Sequence, residues 1–105
     1  MKTFRCYQMS KELYKECLTT PVKGAARDQL HRAMLSVCLT LAEGSAKASQ
    51  KERRRFYSMS LASMREVQAI IDLHNLPHVV TADILGASIY KLILSLDSEL
   101  PSGFC

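Results

Sequence analysis

Apolar residues recur along this chain at spacings of three and four, the period of helices packed on one side. Cys6, Met9, Leu13 and Cys17 mark a first line, widened by Tyr14 and Leu18, and predict a helix over residues 3–18. Thr20-Pro21 and Gly24 interrupt it, because proline ends a helix and turns the preceding residue away from the α region. Leu30, Ala33, Val37 and Leu41, flanked by Met34, Cys38 and Ala42, predict a second helix over 25–43. Gly44-Ser45 is expected to loosen the backbone after it.

Ser49 and Glu52 form a capping-box pair: the Ser hydroxyl accepts a first-turn N–H and the Glu reaches back to the cap. They predict a third helix over 50–73. Its core line would be Phe56, Ser60, Ser63, Val67, Ile70 and His74, with Tyr57, Leu61, Met64 and Ile71 beside it. Asn75-Leu76-Pro77 closes that helix, and Thr81 with Asp83 is expected to open a fourth. In the fourth, Leu85, Ile89, Leu92 and Leu96 face one way, yet Ile84, Tyr90, Ile93 and Leu94 are apolar too. One inward stripe does not need so many apolar residues. The surplus predicts a subunit interface at Ile84, Tyr90, Ile93 and Leu94. The fold class is all-α: one domain over 1–105, an antiparallel up-down-up-down four-helix bundle.

Composition agrees: 48% hydrophobic residues with 7% aromatic, no Trp, three prolines and four glycines leave little for a β fold. The net charge of +4 is uneven along the chain. Residues 1–66 hold thirteen Lys/Arg against six Asp/Glu, whereas residues 67–105 hold one Lys against four acids. Cys6, Cys17, Cys38 and Cys105 form no C-x-x-C pair, and the first three sit at apolar helix positions. They are expected to be reduced structural thiols in a cytoplasmic protein, with Cys105 exposed at the terminus. The opening has no secretory pattern, and the apolar runs are too short for a bilayer, so no membrane partner is expected.

Catalytic constellations are missing from the pattern. The serines lack a matching His/Asp arrangement, and no glycine-rich phosphate loop occurs. His74 and His78 have metal-ligand spacing, but Pro77 stands between them and no Cys pair completes a set, so no metal is expected. No cofactor and no small-molecule substrate are implied, and the protein reads as non-enzymatic. Tyr7, Tyr14, Tyr57 and Tyr90 can stack on bases in principle, but their helical spacing fits core-edge residues.

Asp28-Gln29-Leu30-His31-Arg32-Ala33, Ser36-Val37 and Leu41-Ala42-Glu43-Gly44 resemble the second helix of a known family. These are the four-helix-bundle proteins encoded in intervening sequences of bacterial 23S ribosomal RNA genes. Ser49-x-x-Glu52-x-x-Arg55-Phe56 and Ser63-Met64-Arg65-Glu66 resemble that family's third helix. The family's pattern has Asn at Thr40, an aromatic residue at Arg53 and Gly at Ala62, so Ala62 is expected to loosen helix packing slightly. The resemblance implies a homopentamer without enzymatic activity. A related branch, the accessory proteins of diversity-generating retroelements, implies structured RNA or a reverse transcriptase as partner.

Arg53, Arg54 and Arg55 are consecutive and fan over about 200° of a helix surface. Within the resembling motif, Arg55 is expected to turn inwards. Glu43, at the unfavourable dipole end of its helix, calls for a cation such as Arg55 or Arg65, and Glu66 is a second partner for Arg55. Arg53 and Arg54, with Lys47 and Lys51, are then the candidate phosphate contacts. The competing reading is an oligomeric interaction scaffold whose basic run keeps it in solution.

Overall fold

A computed structural model describes residues 2–98; Glu99 and Cys105, with the exposure expected of its thiol, lie outside the described residues. Four helices account for nearly all of that span: α1 (Lys2–Leu18), α2 (Gly24–Ser45), α3 (Gln50–Leu73) and α4 (Val79–Ser98). No strand occurs among the described residues. Each helix packs against its two neighbours in the order α1, α2, α3, α4 and back to α1. The α2–α3 seam is the most extensive and the α1–α4 closure the sparsest. The protein is an antiparallel four-helix bundle.

Local chemistry sets the helix ends. Ser49 has an extended backbone, and its Oγ accepts the Glu52 N–H at 3.1 Å, so α3 starts where the cap predicts. Only half of the capping box forms, because the Glu52 carboxylate instead receives Arg55. At the other end Asn75 takes the left-handed conformation (φ 51). The Leu76 N–H then reaches Ile71 O at 3.0 Å and the Asn75 N–H reaches Asp72 O at 3.4 Å. This is a Schellman closure with Asn where glycine is common, and buried Leu76 seals it. α4 begins at Val79, earlier than Thr81 and Asp83 would place it. Its first turn follows His78, whose carbonyl accepts the Ala82 N–H at 2.9 Å.

α2 runs two residues beyond its expected end, and Gly44 stays inside the helix. A Cβ at Gly44 would stand 2.6 Å from Tyr57 Cε1, so the glycine permits close approach of α3 and does not loosen the backbone. The core holds Cys6, Leu13, Cys17, Leu30, Met34, Val37, Leu41, Tyr57, Met64, Val67, Leu85 and Ile89, among others. On α3 the buried line is Tyr57, Ser60, Met64, Val67 and Ile71, while His74 is exposed, a rotation of one position from the expected line. Buried Ser60 donates to Val37 O at 3.1 Å, and Thr40 donates to Ser36 O at 2.6 Å, so both hydroxyls are satisfied. Ala62 is exposed, so no helix of the bundle packs on it and its methyl loosens nothing there.

α4 divides the expected interface set. Ile93 is 6% exposed and belongs to the core, because it lies four residues after Ile89 on the inward line. Ile84, Tyr90 and Leu94 are about half exposed, and Val80 more so. By length and composition α4 is apolar enough over Val79–Asp97 to cross a membrane, although no uninterrupted apolar run suggested it. Within the bundle that apolarity divides between a core face and the outer stripe.

Candidate nucleic-acid interface

Antiparallel packing brings distant charges to one end of the rod. The start of α1, the end of α2, the start of α3 and the end of α4 meet there. Thr3 Oγ1 lies 3.1 Å from Tyr57 Oη, and Arg54 Nε lies 2.8 Å from Asp97 Oδ1. Between residues 3 and 97, that half holds Arg5, Lys47, Lys51, Arg53, Arg54, Arg55 and Lys91 against Glu43, Glu52 and Asp97. Seven cations thus face three carboxylates. In the other half six Lys/Arg meet six Asp/Glu, with cross-helix pairs such as Arg32–Glu66 at 3.3 Å. The basic excess is therefore a property of one end, where the sequence had divided it between the first two-thirds and the remainder.

Phe56 organises the cluster. Its half-buried ring carries Lys47 Nζ at 4.7 Å and Arg55 Cζ at 4.8 Å from the centroid, two cation–π contacts on one side chain. Arg53 donates from Nε to Lys47 O at 2.9 Å, which ties the start of α3 to the α2–α3 turn. Arg54 forms a two-point pair with Asp97, Nε to Oδ1 at 2.8 Å and Nη2 to Oδ2 at 3.3 Å. That hydrogen bond holds the Asp97 carboxyl below its ordinary value and raises the Arg54 guanidinium. Glu52 is lowered in the same way, first by its hydrogen bond from Arg55. Lys51 is exposed beside these groups.

The inward role assigned to Arg55 is not what the fold provides. Arg55 is exposed and pairs with Glu52 one turn back, at 3.2 Å, because the i, i+3 partner is nearer than Glu43 or Glu66. Glu66 pairs with Arg32 across α2 and α3, Arg65 donates to Gln68 at 2.8 Å, and Glu43 is exposed with no ion pair among the described residues. Of the four candidate phosphate contacts, Lys51 is exposed, Lys47 and Arg53 are braced, and Arg54 is already engaged. The Glu52–Arg55 spacing was visible in the sequence; Asp97, 43 residues from Arg54, had no local signal.

No three-member cluster of His, Cys, Asp and Glu suited to a metal ion occurs among the described residues. His31 Nε2 lies 3.1 Å from Cys17 O, and His78 Nδ1 lies 3.5 Å from Glu16 Oε1. Burial pushes the Cys17 thiol up to about 11, with Glu16 and Cys38 adding to it, and raises Cys6 and Cys38 as well.

The family model described as 23S rRNA-intervening sequence protein matches residues 2–98, the whole four-helix span. The chain belongs to this family. No curated protein and no solved structure matches the chain. The family is of no known enzymatic function, and its matched region includes every residue of the basic end described above.

Proposed function

We propose that this intervening-sequence family member is a non-enzymatic, cytoplasmic, oligomeric protein that binds structured RNA through the basic end of its bundle. The supporting observation is the segregation of charge: seven cations against three carboxylates in one half, balance in the other. Lys47, Lys51 and Arg53 form the contact platform, with Arg54 beside them held by Asp97, and the N-terminus of α3 adds its positive dipole end at the same place. Titrating a labelled RNA hairpin by fluorescence anisotropy between about 50 and about 200 mM salt tests this, since counterion release makes log affinity fall linearly with log salt. Absence of binding at the low end, or a salt-independent affinity, overturns the RNA reading.

A second reading rests on the outer stripe of α4, where Val80, Ile84, Tyr90 and Leu94 are exposed on a helix whose other face fills the core. Self-assembly would cover that stripe and stabilise a small domain, and the pentamer implied by the resemblance is its expected form. Assembly would also repeat the basic end on each subunit and add avidity. If the assembly forms while RNA binding fails, the scaffold reading is the one that stands.

A further inference from the structure

Next to the cationic platform the same end of the rod carries an open apolar groove between α1 and α2. It has a volume of about 640 Å³ and is lined by Thr3, Phe4, Tyr7, Ala42 and Ser45. Phe4 and Tyr7 are i, i+3 neighbours on α1, so two aromatic rings share one wall. Phe4 is 61% exposed and takes no part in the buried line of Cys6, Ser10, Leu13 and Cys17. Ser45 donates to Ala42 O at 2.8 Å, which leaves its oxygen able to accept. Two residues later stands Lys47, whose N–H bonds to Gly44 O at 3.1 Å and whose ammonium lies over Phe56.

Aromatic rings beside a groove, hydroxyls at its edge and cations at the same end of the bundle are what an unstacked nucleobase and its phosphate need. A base pair inside a duplex cannot offer its face, so such a groove has no use for a plain double helix. A second copy of this chain is the competing occupant, and the sedimented mass of the Phe4→Ala variant distinguishes it. We infer that the groove takes an unpaired nucleobase from the loop or single-stranded part of an RNA, stacked on Phe4 and Tyr7, with flanking phosphates on Lys47, Lys51 and Arg53. This rests on the RNA-binding reading and adds to it a preference for unpaired nucleotides.

The test uses the full chain and two probes with equal numbers of phosphates, a single-stranded RNA oligomer and a blunt RNA duplex. The single strand should bind about tenfold more tightly at equal salt, the size of one stacking contact. Phe4→Ala should abolish that preference while leaving the salt slope unchanged, and Phe4→Tyr should restore it. Lys47→Gln with Lys51→Gln should do the reverse, flattening the slope and sparing the preference. Phe4 is exposed, so its truncation leaves the core intact; circular dichroism verifies this, and Tyr7→Ser provides the independent variant. Equal binding of both probes, indifferent to Phe4, overturns the groove assignment and leaves the RNA reading standing. If Phe4→Ala instead reduces the sedimenting mass, the groove is a contact between copies and the assignment fails. No binding of either probe removes both.

Discussion

Gly44 and Tyr57 set how closely α2 and α3 approach: a Cβ on residue 44 would lie 2.6 Å from Cε1 and 2.8 Å from Cδ1 of the Tyr57 ring. The ring is buried, and its hydroxyl is within hydrogen-bond distance of Thr3 at 3.1 Å, so it has little room to retreat. This contact closes the most extensive helix seam at the end where the cations gather.

Gly44→Ala therefore pits two effects against each other. Alanine favours the helix by about 1 kcal/mol over glycine. Overpacking costs about 1–3 kcal/mol, and here the obstacle is an anchored ring. The clash should win, so the variant should lose up to about 2 kcal/mol in urea unfolding. A more stable Gly44→Ala protein would show that the seam can open freely.

Ile93 and its neighbours on α4 should separate cleanly. Ile93→Ala removes a core side chain and should cost about 2–5 kcal/mol. Ile84→Lys and Leu94→Lys change exposed positions and should leave the helical circular dichroism of the subunit near that of the parent. In equilibrium sedimentation the same two variants should reduce the mass of the assembly. Wild-type protein sedimenting at 11.8 kDa at micromolar concentration would remove the interface from α4.

Asp97 should influence both stability and binding. Its carboxyl is held below the ordinary range by Arg54, so the pair contributes above the unfolded carboxylate value of about 4. That contribution is lost as pH falls through the lower folded value. Wild type and Asp97→Asn should therefore converge in thermal midpoint in the acid region and differ, modestly for so exposed a pair, at neutral pH. The same variant releases Arg54, and should tighten RNA binding and steepen the salt slope by about one phosphate contact. Identical slopes would mean that Arg54 never reaches the RNA.

Thiol chemistry should report on the core. Cys6, Cys17 and Cys38 are buried with raised thiols, Cys17 up to about 11. In a Cys105→Ser background, a disulfide reagent at pH 8 should react slowly with the native protein and rapidly with all three thiols in denaturant. Fast native labelling of Cys17 would place it outside the sealed core.

The sequence by itself determined the number of helices, the start of α3, the closing of α3 at Asn75 and the core line of α2. These depend on residues within a turn or two of one another: a Ser hydroxyl and the N–H three residues on, or apolar side chains repeating along one face. It also carried the family resemblance, through short motifs in α2 and α3 that the family match over residues 2–98 bears out. Tertiary structure alone decided which charges meet and where the surplus lies. Arg54 reaches Asp97 across 43 residues, and Arg55 keeps its local partner Glu52 because α3 turns it outwards. The tertiary structure also separated Ile93 from Leu94, adjacent and equally apolar in sequence, by the 100° between successive helix positions. Gly44 looked like a break until Tyr57 was packed against it. Such outcomes depend on the approach of surfaces from different helices, and one helix's periodicity contains no information about what its neighbour brings to the contact.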